Sequence, residues 1–586
     1  MANNLTYLPL DNIGINGLNT QSNPTSLSPS WLVKADNIAF KESGRITFRN
    51  GFVQQVMPTT AAIGSLAEHK LADDTYKVFA GVGSKIHTVD FTDAAGAFDD
   101  GFTTGSSTDD WQFISFNKQL FGFQDGSVPV NYNNTTWGLL NSDTPQGVTT
   151  FDPSCGMGYY GRLWVGGVTE EKDVFYYSDT LQGNQWQSGA SGSIDLKTVW
   201  GTDEIVAIAP FYGKLVIFGN HNIVIYNGPT DPTTMELDEV IRGIGCVSRD
   251  SVQQVADDLF FLSPTGLRSL SRTTELDKMP LTDMSIPIKD NIIRDIKSST
   301  PSSIKGVYVE SEGLFVLSLI DIDTVYVFDM KQLTPAKTPR VTLWNFKRSS
   351  FNITSLLNSE SQGFLVGQEG GSVAKYESYS DKELISATPA LVYDDQIEYT
   401  GRFQTTWIDL GEGVTSALLK KLKAVIGGGA NTSMSVKWDR DFGVDSTNAL
   451  STQLNPPGTD FLYNVAKYSC NNDIDGFDYT TGDMCVYEDD GFPIQLYVDI
   501  DYVTSAVEVA TRNEGSHYYF CHPLASAPTN CESPASEYSG VKGLKEYNIP
   551  LSKSAKYVQF TFTAETGGSS TVLQDLTLLF KRGKIR

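Results

Sequence analysis

A strand–turn–strand unit recurs along the first two thirds of this 586-residue chain, and its period restricts the folds open to it. The middle strand of the unit reads YKVFAG from Tyr76, QLFGF from Gln119, RLWVGG from Arg162, KLVIFG from Lys214, LFFLS from Leu259, LFVLS from Leu314 and FLVGQ from Phe364. A second apolar strand follows each one: KIHTVD, SVPVNY, VFYYSD, IVIYNG, LRSLS, VYVFDM and SVAKY. Between 204 and 228 the pattern is plainest, with Gly213 and Gly219-Asn220 supplying the turns of a three-stranded meander. Leu120, Leu163, Leu215, Leu259, Leu314 and Phe364 hold equivalent places, at intervals of about 43–55 residues. A sheet repeating at that period is the pattern of a β-propeller, whose blades cover one another's faces. The competing arrangement is a sandwich of unrelated hairpins. Seven units are counted, or six if the first hairpin belongs to the N-terminal arm.

The chain is too long for one compact core, and its texture changes twice. Residues 1–60 are irregular and rich in Asn, Ser and Pro, which suits an arm or platform segment. Within them Trp31 and Leu32 are the expected contacts with a neighbouring subunit or an adaptor protein. The propeller is expected over 61–382. From 383 to 586 longer alternating strands replace the repeat: Met434, Val436 and Trp438 share a face, as do Val558, Phe560 and Phe562, and Leu576, Leu578 and Phe580. That alternation predicts a β-sandwich-like C-terminal domain, so the fold class is all-β. An acidic segment at about 440–545, carrying Cys470, Cys485, Cys521 and Cys531, reads as an extended insertion into this domain.

A net charge of −25 argues against a surface that holds nucleic acid by neutralising phosphates. The start, MANNLTYLPL, has no cationic stretch followed by an apolar one, and the longest apolar run, near Leu314–Ile320, is too short to span a bilayer, so no membrane segment is expected. Asn471, Asp473, Asp475 and Gly476 match the first half of a calcium loop, but its twelfth position is Gly482, where a bidentate Glu is needed. A solvated acidic loop over Asn471–Asp483 is the better reading. The four clustered cysteines have no C-x-x-C spacing for zinc, while local disulfides among them stay open. Ser178–Trp186 partly matches the S-x-D-x-G-x-x-W box of sialidases, yet Leu181 occupies the acidic position. A turn with Trp186 packed between blades explains it better. Five histidines give no nucleophile–base pairing by spacing, and no phosphate loop is present. No catalytic residue, metal or cofactor is expected.

Several short segments carry a resemblance. Gly17-Leu18-Asn19, Asn23-Pro24, Leu27, Trp31-Leu32, Ala35-Asp36-Asn37-Ile38, Gly44 and Arg49-Asn50-Gly51 follow one another in the order seen at the start of tail nozzle proteins of short-tailed bacteriophages. Tyr176-Tyr177-Ser178-Asp179 with Trp186, and the last strand ending in Lys581-Arg582-Gly583-Lys584, are similar to further segments of this tail tubular protein B class. The resemblance implies a structural virion protein and no catalysis. It implies a hexameric ring below the portal adaptor, a channel through which double-stranded DNA leaves, and attachment of tail fibres. The protein would sit in the virion tail and pass through the host cytoplasm during assembly. The alternatives are a receptor-binding adhesin propeller and a polysaccharide-degrading propeller enzyme.

Overall fold

The computed structural model describes residues 5–440, apart from 11, 41–44, 57–58, 60, 92–96, 271–282, 379–380, 382–383, 387–391, 394–398, 411–414 and 429–432. Beyond these it describes 441–443, 451–454, 544–566 and 571–582, together with the backbone of four strands between 484 and 522. The chain divides into two compact units, Ile13–Ile38 with Asn50–Trp407, and Met1–Asn12 with Ala39–Arg49 and Ile408–Arg586.

In the first unit seven antiparallel sheets follow one another along the chain. Their first strands are Ser65–Lys70, Gln112–Phe116, Cys155–Tyr159, Ile205–Phe211, Gln253–Val255, Ile304–Val309 and Ile353–Ser359, and the blades are numbered 1–7 in that order. Each first strand lies against the next, with the short helical turn Arg249–Ser251 helping to join blades 4, 5 and 6. Ile353–Ser359 in turn lies against Ser65–Lys70, so the ring closes. This is a β-propeller. Among the described residues six sheets have four or more strands and blade 5 has three. A single bridge between Arg268 and Asp283 stands where the fourth strand of blade 5 would run.

The repeat in the sequence has a direct cause in packing. In the blade 4 strand Lys214–Gly219, Leu215 and Ile217 pack with Trp164, Phe175 and Tyr177 of blade 3. Val216 and Phe218, on the opposite face, pack with Leu259 and Phe261 of blade 5. All four side chains from Leu215 to Phe218 are fully buried. A strand covered on both faces needs a continuous apolar run and not an alternating one, which is what KLVIF supplies. Each such side chain contributes about 1.5–3 kcal/mol by leaving water.

The N-terminal residues do not form a separate arm. Gly51–Gln54 is the fourth strand of blade 7, pairing antiparallel with Val373–Ser378 (Val53 opposite Lys375). Leu32–Asp36 lies between the outer strand of blade 6, Pro339–Trp344, and Tyr399–Thr405. The propeller unit therefore starts before residue 61 and extends past 382, because the exposed edges of blades 6 and 7 need partners that only remote segments provide.

Outside the insertion, the described residues of the second unit form two antiparallel sheets. One is built on Ala417–Gly428 paired with Thr571–Arg582, joined by Leu544–Pro550 and the N-terminal strand Leu5–Pro9. The other pairs Ser433–Arg440 with Tyr557–Thr566. The expected alternation holds: Met434, Val436, Trp438, Val558, Phe560, Phe562, Leu576, Leu578 and Phe580 are all buried. The insertion is more regular than expected, since its backbone includes a four-stranded antiparallel meander, Met484–Asp489, Phe492–Asp501, Ala506–Asn513 and Ser516–His522. Cys470, Cys531 and the Asn471–Asp483 loop lie outside the described residues.

Closure of blade 7 rests on Phe52, which is fully buried among Trp344, Phe346, Phe364 and Tyr376, with ring centroids 5.2–6.2 Å away. Phe52→Ala should lower the unfolding free energy of the propeller by about 3–5 kcal/mol in urea titration. A loss below about 1 kcal/mol would show that the N-terminal strand does not hold the ring shut.

Candidate functional site

Two places gather polar side chains from remote parts of the propeller. The first lies where the inner strands begin. Asp110 stands two residues before the first strand of blade 2, Arg249 and Asp250 occupy the turn before that of blade 5, and Lys305 is the second residue of that of blade 6. Arg249 Nη2 is 2.8 Å from Asp110 Oδ1, and its Nε is 3.2 Å from Asp250 Oδ1. Lys305 Nζ is 2.7 Å from Asp250 Oδ2 and also contacts Asp110 Oδ1. Arg249 Nη1 donates to the Ser154 carbonyl at 2.6 Å, at the entry to blade 3. Blades 2 and 3 stand across the ring from blades 5 and 6, so two cations and two anions span the propeller axis and close it at this end.

Burial alone would discharge these groups, but their opposite neighbours prevent it. For Arg249 and Lys305 burial works against the charged form, and the adjacent Asp250 and Asp110 outweigh it, so both cations are held more firmly than usual. Asp250 is also opposed by burial, and Lys305 and Arg249 together bring its carboxyl below the ordinary range. Neighbouring Asp109 is pushed up by burial, while accepting a hydrogen bond from Gly83 N at 2.9 Å in blade 1. Such a cluster has no nucleophile or free base. It ties blades together, and Lys305→Met, which leaves Asp110 and Asp250 short of a cation, should cost about 3–5 kcal/mol in urea titration.

The second place surrounds the N-terminal segment. Asn37 adopts a left-handed conformation (φ 52°) and is almost wholly buried. Its Nδ2 donates to the carbonyls of Asn345 and Thr400, both at 2.9 Å, and its Oδ1 accepts from Asn345 N at 2.8 Å. Gly17, at φ 79°, lies so close to Val341 that a Cβ would come within 2.8 Å of its backbone nitrogen. Leu18 N donates to the Val341 carbonyl, and the Asn19 side chain accepts from Gln21 N and Ser22 N. Gly17, Leu18 and Asn37 thus pin the segment to blade 6, and Asn19 fixes the local turn. Of the two expected contact residues, Leu32 is wholly buried inside this chain, opposite Thr405, and Trp31 is half-buried.

The remaining sequence candidates resolve as structure. Trp186 is buried with Phe121, Phe151 and Tyr176, between blades 2 and 3, and Ser178 Oγ accepts from Leu163 N at 3.0 Å. His69 is buried, its Nδ1 3.0 Å from Ser115 Oγ and its Nε2 3.3 Å from Asn134 Oδ1. Among the described residues no three His, Cys, Asp or Glu side chains gather to hold a metal ion, and no helix is long and apolar enough to cross a membrane.

No protein-family model matches the chain, and no curated protein matches it. Solved structures do resemble it. The extracellular domain of the putative one component system BT4673 from B. thetaiotaomicron is 12% identical at a TM-score of 0.36, with 80% of this chain and 53% of that one covered. The chain thus spans about half the length of that protein. YCF48 bound to D1 peptide is 10% identical at a TM-score of 0.34, covering 58% of this chain and 97% of that one. The Neurospora crassa Pan2 WD40 domain is 8% identical at 0.32, covering 56% and 94%. The propeller assignment stands on the strand pairing described above.

His69 also gives the propeller a pH signature. Burial lowers its pKa from 6.5, against the opposing hydrogen bonds from Asn134 and the Lys118 backbone. The unfolded chain then binds a proton that the folded one resists, so this contribution is complete above about pH 6.5 and declines as the pH falls through it. The unfolding midpoint should drop between pH 7 and 5, and His69→Gln should flatten that slope.

Proposed function

We propose that this chain is a structural subunit of a bacteriophage tail, a nozzle protein that assembles as a ring below the portal adaptor. The observation that carries this reading is the fastening of the N-terminal segment. Gly17, Leu18 and Asn37, residues of the motif that resembles the nozzle class, fasten that segment to blade 6 through close approach and hydrogen bonds, while Asn19 shapes the turn beside them. The motif therefore has a structural reason to exist in a protein built this way.

The closed axis supports the same reading. With Arg249 and Lys305 paired across the axis at one end, a duplex has no route through a single propeller on this reading, which favours a channel running beside the propellers of a ring. A net charge of −25 leaves passing phosphates unbound, which favours sliding over retention. On this reading the charge cluster is structural and the protein's role needs no catalysis. Its partners are copies of itself, the adaptor ring, tail fibres and the duplex in transit.

Light scattering and negative-stain imaging of the purified protein, alone and with portal–adaptor particles, test the proposal. A closed ring, expected to be six-fold, is predicted in at least the second condition. A protein that remains a monomer or trimer in both would overturn it.

A further inference from the structure

The face of the propeller opposite the ion cluster is made of the turns that join the first and second strands of each blade. Three of these have positive φ at both central positions: Asn117-Lys118 in blade 2 (43° and 60°), Tyr160-Gly161 in blade 3 (46° and 70°) and Tyr212-Gly213 in blade 4 (46° and 79°), and the last two put a tyrosine in the first place. Two-residue hairpin turns of this hand favour Asn-Gly, because a bulky side chain is strained at positive φ. Leu181, beside them, is also held at φ 58°. Tyr160, Tyr212 and Leu181 are all exposed, Tyr212 by 68% and Leu181 by 53%. Tyr160 packs on Tyr159 and Tyr212 on Phe211, with ring centroids 4.3 and 4.6 Å apart, yet about half or more of each residue stays outside, and strain kept in such exposed bulky residues points to a task beyond the fold.

The three residues belong to one continuous surface. Tyr212 Oη donates to the Asp257 carbonyl in the blade 5 turn at 2.8 Å, which holds its ring along the face. The Tyr160 hydroxyl lies beside Gly213, 3.7 Å from where a Cβ would stand, so its ring reaches across to blade 4. Leu181 N donates to the Gly161 carbonyl at 2.7 Å, and the Leu181 carbonyl accepts from Asn117 Nδ2 at 2.7 Å. Asn117 in turn borders a cavity of about 310 Å³ between the blade 1 and blade 2 turns. His69, Lys70, Asp74, Ser115 and Lys118 also line it. Lys70 is paired with Asp74 at 3.1 Å, whereas Lys118 is exposed and has no acidic partner among the described residues.

We infer that this face binds an acidic oligosaccharide, with a uronate carboxylate beside Lys118 in the cavity and successive sugar rings stacked along Leu181, Tyr160 and Tyr212. The cavity is at the small end of ligand pockets, suited to one or two sugar rings. Immobilised aromatic faces suit the C–H faces of pyranoses, and Asn117 and Ser115 offer the short polar groups that hydroxyls need. A peptide would want a free strand edge, but hairpin turns satisfy their own backbone groups. Nucleic acids and all-uronate chains bring a negative charge with every sugar to a chain of net charge −25 whose site has one unpaired lysine, whereas hyaluronan brings one carboxylate for every two sugars and so fits this face best. The inference is independent of ring assembly.

Saturation-transfer NMR on the full chain with hexamers of oligogalacturonate, alginate and hyaluronan, with maltohexaose and a dT hexamer as comparisons, tests it. At least one uronate hexamer should bind more tightly than either comparison. Lys118→Ala should remove that preference, and Tyr160→Asn with Tyr212→Asn should weaken binding by about tenfold or more. Because Asn is the better turn residue, the double variant should unfold at or above the parent temperature. Failure of every uronate hexamer to bind, or tighter binding of the dT hexamer, would overturn the inference. A double variant that unfolds well below the parent would assign the tyrosines to holding blades together, which also overturns it.

Discussion

Every sheet in the propeller is apolar on both faces, and this forces the ring to close. A single layer of this kind cannot stop, because its last sheet would leave an apolar face in water. Blade 7 meets blade 1 through Ile353–Ser359 and Ser65–Lys70, and Thr354 Oγ1 donates to the Ile63 carbonyl across the joint at 2.8 Å. The joint is strengthened by a strand from the far end of the unit, Gly51–Gln54, where Phe52 N donates to Asp381 Oδ1 and Gln54 Nε2 donates to Gln368 Oε1. Closure therefore depends on contacts of very long sequence separation, which carry the loop-closure entropy of the intervening blades.

That dependence explains what could be read from the sequence. The middle strands were legible because burial on both faces gives a continuous apolar run, as in Leu215–Phe218, and the turn glycines mark where each run ends. The alternating strands of the second unit were legible for the complementary reason, one covered face. The N-terminal segment was not, since Leu32–Asp36 and Gly51–Gln54 are short and take their identity from partners about 300 residues later, such as Leu343 and Lys375. Asn37 shows the difficulty well. Its motif could be matched, but nothing local discloses that its amide joins the backbones of Asn345 and Thr400.

The ion cluster was less legible still. Asp110 and Lys305 are separated by 195 positions, and each looks like an ordinary surface charge at the start of a strand. Only the ring brings them together, and the low dielectric of the closed axis then makes an individual charge costly to lose. Tyr160 and Tyr212 had a local signal that could have been noticed: a Tyr-Gly pair where a hairpin of this repeat calls for Asn-Gly.

The two ends of the propeller are therefore built to different rules. At the end where inner strands begin, charges from blades 2, 5 and 6 turn inwards and neutralise one another. At the other end the turns are tied to one another through backbone carbonyls, as Asn117 is to Leu181 and Tyr212 to Asp257, and their apolar surface is left outside. The blades are held by their buried apolar faces and by the charges at the axis, so the turn face can carry strained residues without opening the ring. A repeat fold makes this separation possible, because the strand pairing that holds each blade is the same whatever its turns carry. Substitutions in the turns are thereby free to change what the face recognises, while substitutions at the axis change whether the ring holds.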